Sequence, residues 1–502
     1  MFNQYSRIPS NKIELGCPTF RQDSPPRRLP SKIPRRLVLV LIALAASPQV
    51  PPALAQPIDD SFQAWSADRS HPDVKRDSPE SKDTQDADWL SRDGNTFNDQ
   101  GPAVISANPG AVNATVGTGR LGRLLGFKED SGIYLGGLWI GNADYLLSGG
   151  AKPGTSNFNS LEIINFQLNL DRLLNIPGAT FGTSFLQFDG QDSNGRAGVL
   201  SGYNGLVAAP PFDRTQLYEF WWRQVLFDDR LILRVGKSIP TSSFNNLVSA
   251  LALKNLEPFI PAISGLLYTP LFINPSLLGV LPGYYDSAWG ITTTLIPTDS
   301  IYLSYGLYDG SLAGGRRTGI EVWPSFNGYS LNIGEIGFAW AGRHPGRFAF
   351  GTWHQSGLMQ GFGNQEHGID GFYAFATNRL FTIRREEPGG TGSVIGFLQY
   401  GINNSRTKPV TQFAGGGLSG FGLIPHRPRD SIGMGVAVSW LNGALESQDT
   451  EVITQIYYQA HLAGEVYLQP TFTYVPHPGI RSPSNDTYPA ATSVILQLTV
   501  LF

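Results

Sequence analysis

Cysteine is nearly absent: Cys17 is the only one in 502 residues, and it lies ahead of the export signal described below. The exported part therefore has no disulfide framework and no cysteine metal site. Leu15-Gly16-Cys17 follows no apolar run, so it does not read as a lipoprotein cleavage site. No uninterrupted apolar stretch approaches 18 residues, which excludes a helical membrane protein. Charged residues make up only 15% of the chain, against about 25% ordinarily. Residues 101–502 hold 24 Lys/Arg against 27 Asp/Glu. That balance excludes the basic stripe nucleic acid requires and gives no support to an anion or phosphate channel.

Catalytic signatures are missing too. Of seven histidines only His354 falls on an expected strand, with no Gly-x-Ser-x-Gly elbow nearby. His/Cys metal spacing is absent, and Gly415-Gly416-Gly417 lacks the Lys-Ser/Thr of a phosphate loop. No enzyme, cofactor, metal or nucleotide is expected.

What is present begins with export. Arg27, Arg28, Lys32, Arg35 and Arg36 precede the ten-residue apolar run Leu37 to Ala46, and Ala53-Leu54-Ala55 supplies the small residues of a cleavage site. Residues 1–55 read as an N-terminal extension and signal peptide. Residues 56–115 hold few large apolar side chains among many Asp, Ser, Pro and Asn, and read as a flexible periplasmic arm. Residues 116–502 are left for the folded domain.

That domain is organised around its end. From Ser493 to Phe502, Val494, Leu496, Leu498, Val500 and Phe502 alternate with Ile495, Gln497, Thr499 and Leu501. A period of two throws them to opposite faces of a strand, one wholly apolar and one mixed. Such a strand suits a barrel wall with lipid outside and a polar lumen inside. Closing on an aromatic resembles the terminal signal of outer-membrane proteins.

Sixteen such strands are expected: 133–141, 161–171, 179–190, 217–227, 230–237, 287–296, 300–308, 331–341, 347–355, 371–383, 393–402, 412–424, 431–440, 451–460, 464–475 and 490–502. Connections after even strands are short, and those after odd strands mostly long, as in outer-membrane barrels. The expected fold is all-β, a single transmembrane antiparallel barrel.

Charge tells which face looks inward, because Arg or Lys at the bilayer midplane costs roughly 2–4 kcal/mol. Glu219, Trp221 and Arg223 are expected in the lumen, opposite Tyr218, Phe220 and Trp222. Arg234 should stand beside Arg223 across the hairpin. Glu335, Glu451, Gln455 and Tyr457 fall on inward rows, as do Glu465, Tyr467 and Gln469.

Three separated stretches resemble the carbohydrate-selective porin family OprB. They are Phe220 to Lys237 (FWWRQVLFDDRLILRVGK), Tyr268 to Gly290 (YTPLFINPS through LPGYYDSAWG), and Glu451 to Tyr458 with Leu468 to Tyr474. The likeness covers roughly residues 120–502. It departs at Gln455, where the family commonly has Glu, and at residues 238–267, which are unusually apolar. The resemblance implies a sixteen-stranded outer-membrane pore passing sugars down their gradient, with the third outer loop, Ser238 to Asp286, folded into the lumen as a constriction.

A neutral sugar needs hydrogen-bonding groups to replace its water, and aromatic faces to meet its C–H faces. The expected pore lining is Asp189, Glu219, Trp221, Arg223, Arg234, Glu335, Trp353, Glu451 and Tyr457. Partners would be outer-membrane lipid and small neutral carbohydrates such as glucose, with the barrel a monomer or homotrimer. The alternatives are a general diffusion porin, or a plugged structural or receptor barrel.

Overall fold

The structure is a computed structural model. It describes residues 120–502 except 128–130, 208–212, 246–265, 268–285, 317–322, 325, 341–343, 362–363, 385–390, 428–429, 444–447, 464–465 and 485–486. The expected signal peptide and arm, the stretch 268–285 and Glu465 lie outside the described residues.

Sixteen strands form one closed antiparallel barrel in which each pairs with its sequence neighbours and the first pairs with the last. They are β1 Ile133–Ser148, β2 Ser156–Asn169, β3 Ala179–Asp189, β4 Arg214–Leu226, β5 Leu231–Ser238, β6 Ala288–Thr298, β7 Ile301–Asp309, β8 Ser330–Trp340, β9 Gly346–Gly361, β10 Asn364–Arg384, β11 Thr391–Asn403, β12 Val410–Phe421, β13 Ser431–Leu441, β14 Thr450–Ala463, β15 Val466–Val475 and β16 Ala491–Leu501. Every expected strand is found. Closure leaves no open edge to template association with another chain.

The terminal strand makes that closure. β16 pairs with β1 from Thr492↔Ser148 to Leu501↔Leu138, and beyond it Phe502 exchanges both backbone hydrogen bonds with Gly137, at 3.0 and 2.7 Å. The Phe502 ring covers Gly137, where a Cβ would collide with it. Inside, the Asn142 amide donates to Gln497 at 3.3 Å.

Alternation sets the two faces as expected. In β16, Ser493, Ile495, Gln497, Thr499 and Leu501 are buried while Val494 and Leu496 are exposed, and β15 likewise buries Tyr467, Gln469, Thr471 and Thr473 and exposes Phe472 and Tyr474. One expectation fails. Tyr218, placed outward by strict alternation, is buried. Between the pairs Ser184↔Glu219 and Phe185↔Leu217, β4 carries Tyr218 as an extra residue. A bulge of this kind shifts the parity of everything beyond it, so Tyr218 and Glu219 are buried in succession.

The connection between β9 and β10 also differs from expectation. Instead of a long loop over 356–370, the strands run on until Gly361 pairs with Asn364. Both bend at glycines with positive φ, Gly357 (105°) and Gly368 (73°), and the register shifts between His367 and Ile369. The bulge supplies the added twist.

The abundant glycine has a packing explanation. The ring of Trp221 lies against Gly182, Tyr302 against Gly337, Tyr373 against Gly351, Trp353 against Gly371 and Tyr457 against Gly433, each on a neighbouring strand. A Cβ at any of these glycines would enter the ring. Such pairs cover otherwise bare backbone with aromatic surface and help pin register. Gly415 to Gly417 lie within β12, with the Phe413 ring against Gly415.

Candidate functional site

The lumen wall joins residues from most strands, and its charged groups fall at different heights. Taking the short-turn end of the barrel as the bottom, Arg223 is near the end of β4 and Arg234 near the start of β5, directly opposite each other. Arg347 opens β9, paired with Thr377, and Arg379 follows two residues later on β10. Two of these guanidiniums lie on aromatic faces, Arg234 over Trp221 and Arg347 over Phe375, both at 4.9 Å. Stacking holds a cation in place without neutralising it. Arg223 is buried at 3% exposure and Arg347 at 5%.

Carboxylates sit higher. Glu219 accepts from the Ser184 hydroxyl at 3.3 Å. Glu335 accepts from the hydroxyls of Tyr302 (2.6 Å) and Tyr373 (2.7 Å) and from the backbone N–H of Asn245 (2.7 Å). Glu451 accepts from the N–H groups of Leu200 (2.9 Å), Ser201 (2.7 Å) and Gly479 (2.6 Å), and from the Ser201 hydroxyl. Asp144 accepts from the hydroxyls of Tyr203 and Ser493. Burial and the neighbouring Asp144 carboxylate push the Tyr203 phenol well above its usual range. It therefore remains a donor across the ordinary pH range.

These partners are mostly loop residues. Leu200, Ser201 and Tyr203 belong to the connection between β3 and β4, which opens with a short helix, Ser193–Ala197, and is held to itself by Asn194 and Asn204. Asn245 and Leu267 belong to the long connection between β5 and β6. Asn245 also accepts from the Gln399 amide at 3.0 Å, so it touches both β8 and β11. The Leu267 N–H donates to Gln455 on β14 at 2.8 Å, and its carbonyl accepts from Gly205 at 2.7 Å. Phe244, Leu266 and Leu267 are buried. Wall side chains on β8 and β14 thus hold loop backbone, and Gln399 on β11 holds the Asn245 side chain.

Gln455 shows why its chemistry matters. Its Oε1 accepts from Leu267 while its Nε2 donates to the Tyr203 carbonyl (2.7 Å) and to Thr473 (2.9 Å). An ionised Glu would have no donor for that carbonyl. The departure from the resemblance noted in the sequence is a joint between two loops.

Most of the expected lining is brought to the inward face: Glu219, Trp221, Arg223, Arg234, Glu335, Trp353, Glu451 and Tyr457. Asp189 is not. It ends β3 on the exposed row shared with Phe185 and Gln187, opposite the buried Leu186 and Phe188. The strand phase, read continuously from the buried Ser184, excludes it from the lumen. The three aromatics chosen as sugar platforms are buried to between 1% and 4% exposure against their glycines. Asp144, Tyr203, Asn245, Arg347 and Arg379 were not singled out from sequence. For Arg347 and Arg379 the signal was present, since both lie on inward rows of expected strands; Tyr203 and Asn245 are loop residues with no periodicity to give them a face.

The family model described as carbohydrate-selective porin, OprB family, matches residues 160–500. The chain belongs to that family. Among solved structures it is similar to OprB of Pseudomonas putida at high pH, with 17% identity, covering 76% of this chain and 96% of that one, at a TM-score of 0.61. The low-pH structure of the same protein aligns at 16% identity over 77% and 97%, with a TM-score of 0.47. The anion-selective porin from Comamonas acidovorans aligns at 11% identity over 74% and 99%, with a TM-score of 0.45. No curated protein matches. Family and fold are those of a channel of the Gram-negative outer membrane, a carbohydrate-selective porin.

Proposed function

We propose that this porin passes small neutral sugars such as glucose by diffusion through a lumen narrowed by the β3–β4 and β5–β6 loops. The single observation carrying this reading is the docking of Asn245 on Glu335 and of Leu267 on Gln455. Two attachments on separate walls support the reading that the long loop enters the barrel circumference. Glu335, Glu451 and Gln455 act as posts that hold the constriction. Glu219, and below it Arg223 and Arg234, offer hydrogen bonds to solute hydroxyls, with Trp221 backing Arg234. Export follows cleavage after Ala55, and the barrel works alone or as a homotrimer.

A second reading, a plugged barrel, draws on the burial of Trp353, Tyr457 and Glu451. Liposome swelling separates the two. Purified protein should admit glucose faster than a neutral amino acid of similar size, and Arg223→Ala should reduce that preference severalfold. Equal entry set only by size would make it a general porin. No entry would favour the plug.

A further inference from the structure

The barrel's lipid-facing surface is the strand rows, yet two short helices at the turn end carry exposed leucines of their own. Helix α1 (Arg120–Leu124) precedes β1, and α2 (Leu170–Leu174) joins β2 to β3. Leu124 is 77% exposed, Leu125 62% and Leu174 63%. Exposure of that degree is as large as any on the strand rows, where lipid accounts for it.

Both helices are anchored beside the start of β1. Gly122 of α1 lies against the backbone N and O of Leu135, with Phe127 alongside. That part of β1 lies below the last β16 pairing, Leu138↔Leu501, and below the Phe502–Gly137 exchange, so α1 occupies the place that the end of β16 leaves open. On the other flank Gly132 lies against the Cβ of Arg172 and the Cγ of Leu173. α2 is fixed at both ends, since Asn169 caps it through the Arg172 N–H and Asn175 closes it in the left-handed region at φ 54°. These helices are parts of a fixed rim.

We propose that α1 and α2 form a foot that rests in the headgroup–acyl boundary of the periplasm-facing phospholipid leaflet. Three features fit that occupant. α1 packs on the backbone of Leu135, a residue of the outward row of β1, so its leucines lie at the edge of the apolar outer surface. The guanidiniums of Arg123 and Arg172, both exposed, accompany them and complement lipid phosphate. A short element with apolar and basic side chains at the edge of a hydrocarbon belt has the composition of an interfacial segment. Water would instead leave three leucines exposed at 62–77%, which a rim under no such demand has no reason to keep.

The test uses nitroxide labels in the full chain carrying Cys17→Ser, which removes its only native thiol. Leu125→Cys and Leu174→Cys would be labelled and reconstituted in phosphatidylethanolamine–phosphatidylglycerol bilayers. Phe472→Cys on the outward row of β15 gives the lipid reference, and Asp228→Cys in the β4–β5 turn gives the water reference. Folding of each is checked by its heat-modifiable migration. The expected result is a severalfold higher ratio of oxygen to water-soluble nickel chelate collisions at 125 and 174 than at 228. Ratios equal to that at 228 would overturn the proposal. Sugar entry is measured on the same vesicles, so failure of the foot and failure of the pore are distinguishable.

Discussion

Replacing Glu451 by Gln would test whether wall carboxylates shape the channel through its loops. The carboxylate takes two donors on each oxygen: Leu200 and Gly479 on one, the N–H and hydroxyl of Ser201 on the other. An amide keeps a single acceptor oxygen. Its least costly orientation turns the NH2 toward Ser201, whose hydroxyl can rotate to accept, and leaves the Ser201 N–H without a partner at a cost of about 1–3 kcal/mol. The bonds that remain lose their charge assistance, roughly 1 kcal/mol each. Relief from burying a charge works in the opposite direction. A net loss of about 2–4 kcal/mol raises the undocked population of the 200–201 and 479 segments between about thirtyfold and about seven-hundredfold, at 1.4 kcal/mol per decade. Tyr203 remains fixed by Asp144, so the barrel and most of the loop should persist. In planar bilayers the variant should show noisier open currents with excursions to higher conductance, and vesicles carrying it should admit larger oligosaccharides. Native noise and an unchanged size limit, with heat-modifiable migration intact, would refute the argument.

Gln455→Glu should loosen both loops together, because the Tyr203 carbonyl loses its donor; the expected signature is a raised size limit in swelling assays at neutral pH, absent in the native chain. Gly371→Ala drives a methyl into the Trp353 ring and should destabilise the barrel by about 1–3 kcal/mol, read as a lower midpoint in denaturant-induced unfolding. Lys408, buried between β11 and β12, has its ammonium pulled down to about 8 by burial, with Glu366 opposing. Below pH 8 both folded and unfolded chains hold the proton and the full burial cost applies. Between pH 8 and 10.5 only the folded chain releases it, so stability from this group rises with pH; in Lys408→Met the rise, followed by thermal unfolding, should be smaller.

Much of the wall was legible in the sequence because a strand in a barrel obeys a local rule. Alternation needs only a residue and its neighbours, and lipid on one side makes each error of phase expensive. That is why sixteen strands, the inward placement of Arg223 and Arg234, and closure by Ser493 to Phe502 could be read from one dimension. Tyr218 and Asp189 mark where the rule runs out. At Tyr218 an extra residue of β4 makes a bulge that no alternation announces, and Asp189, expected in the lining near the rim after the third strand, lies on the outward row. The docking of Asn245 on Glu335, of Leu267 on Gln455 and of Leu200 and Ser201 on Glu451 joins residues from 90 to about 250 positions apart. Their backbone donors are the same in every sequence. Only the closed barrel decides which wall side chain meets which N–H, and it gives Glu335 and Glu451, read from sequence as solute contacts, loop backbone as partners.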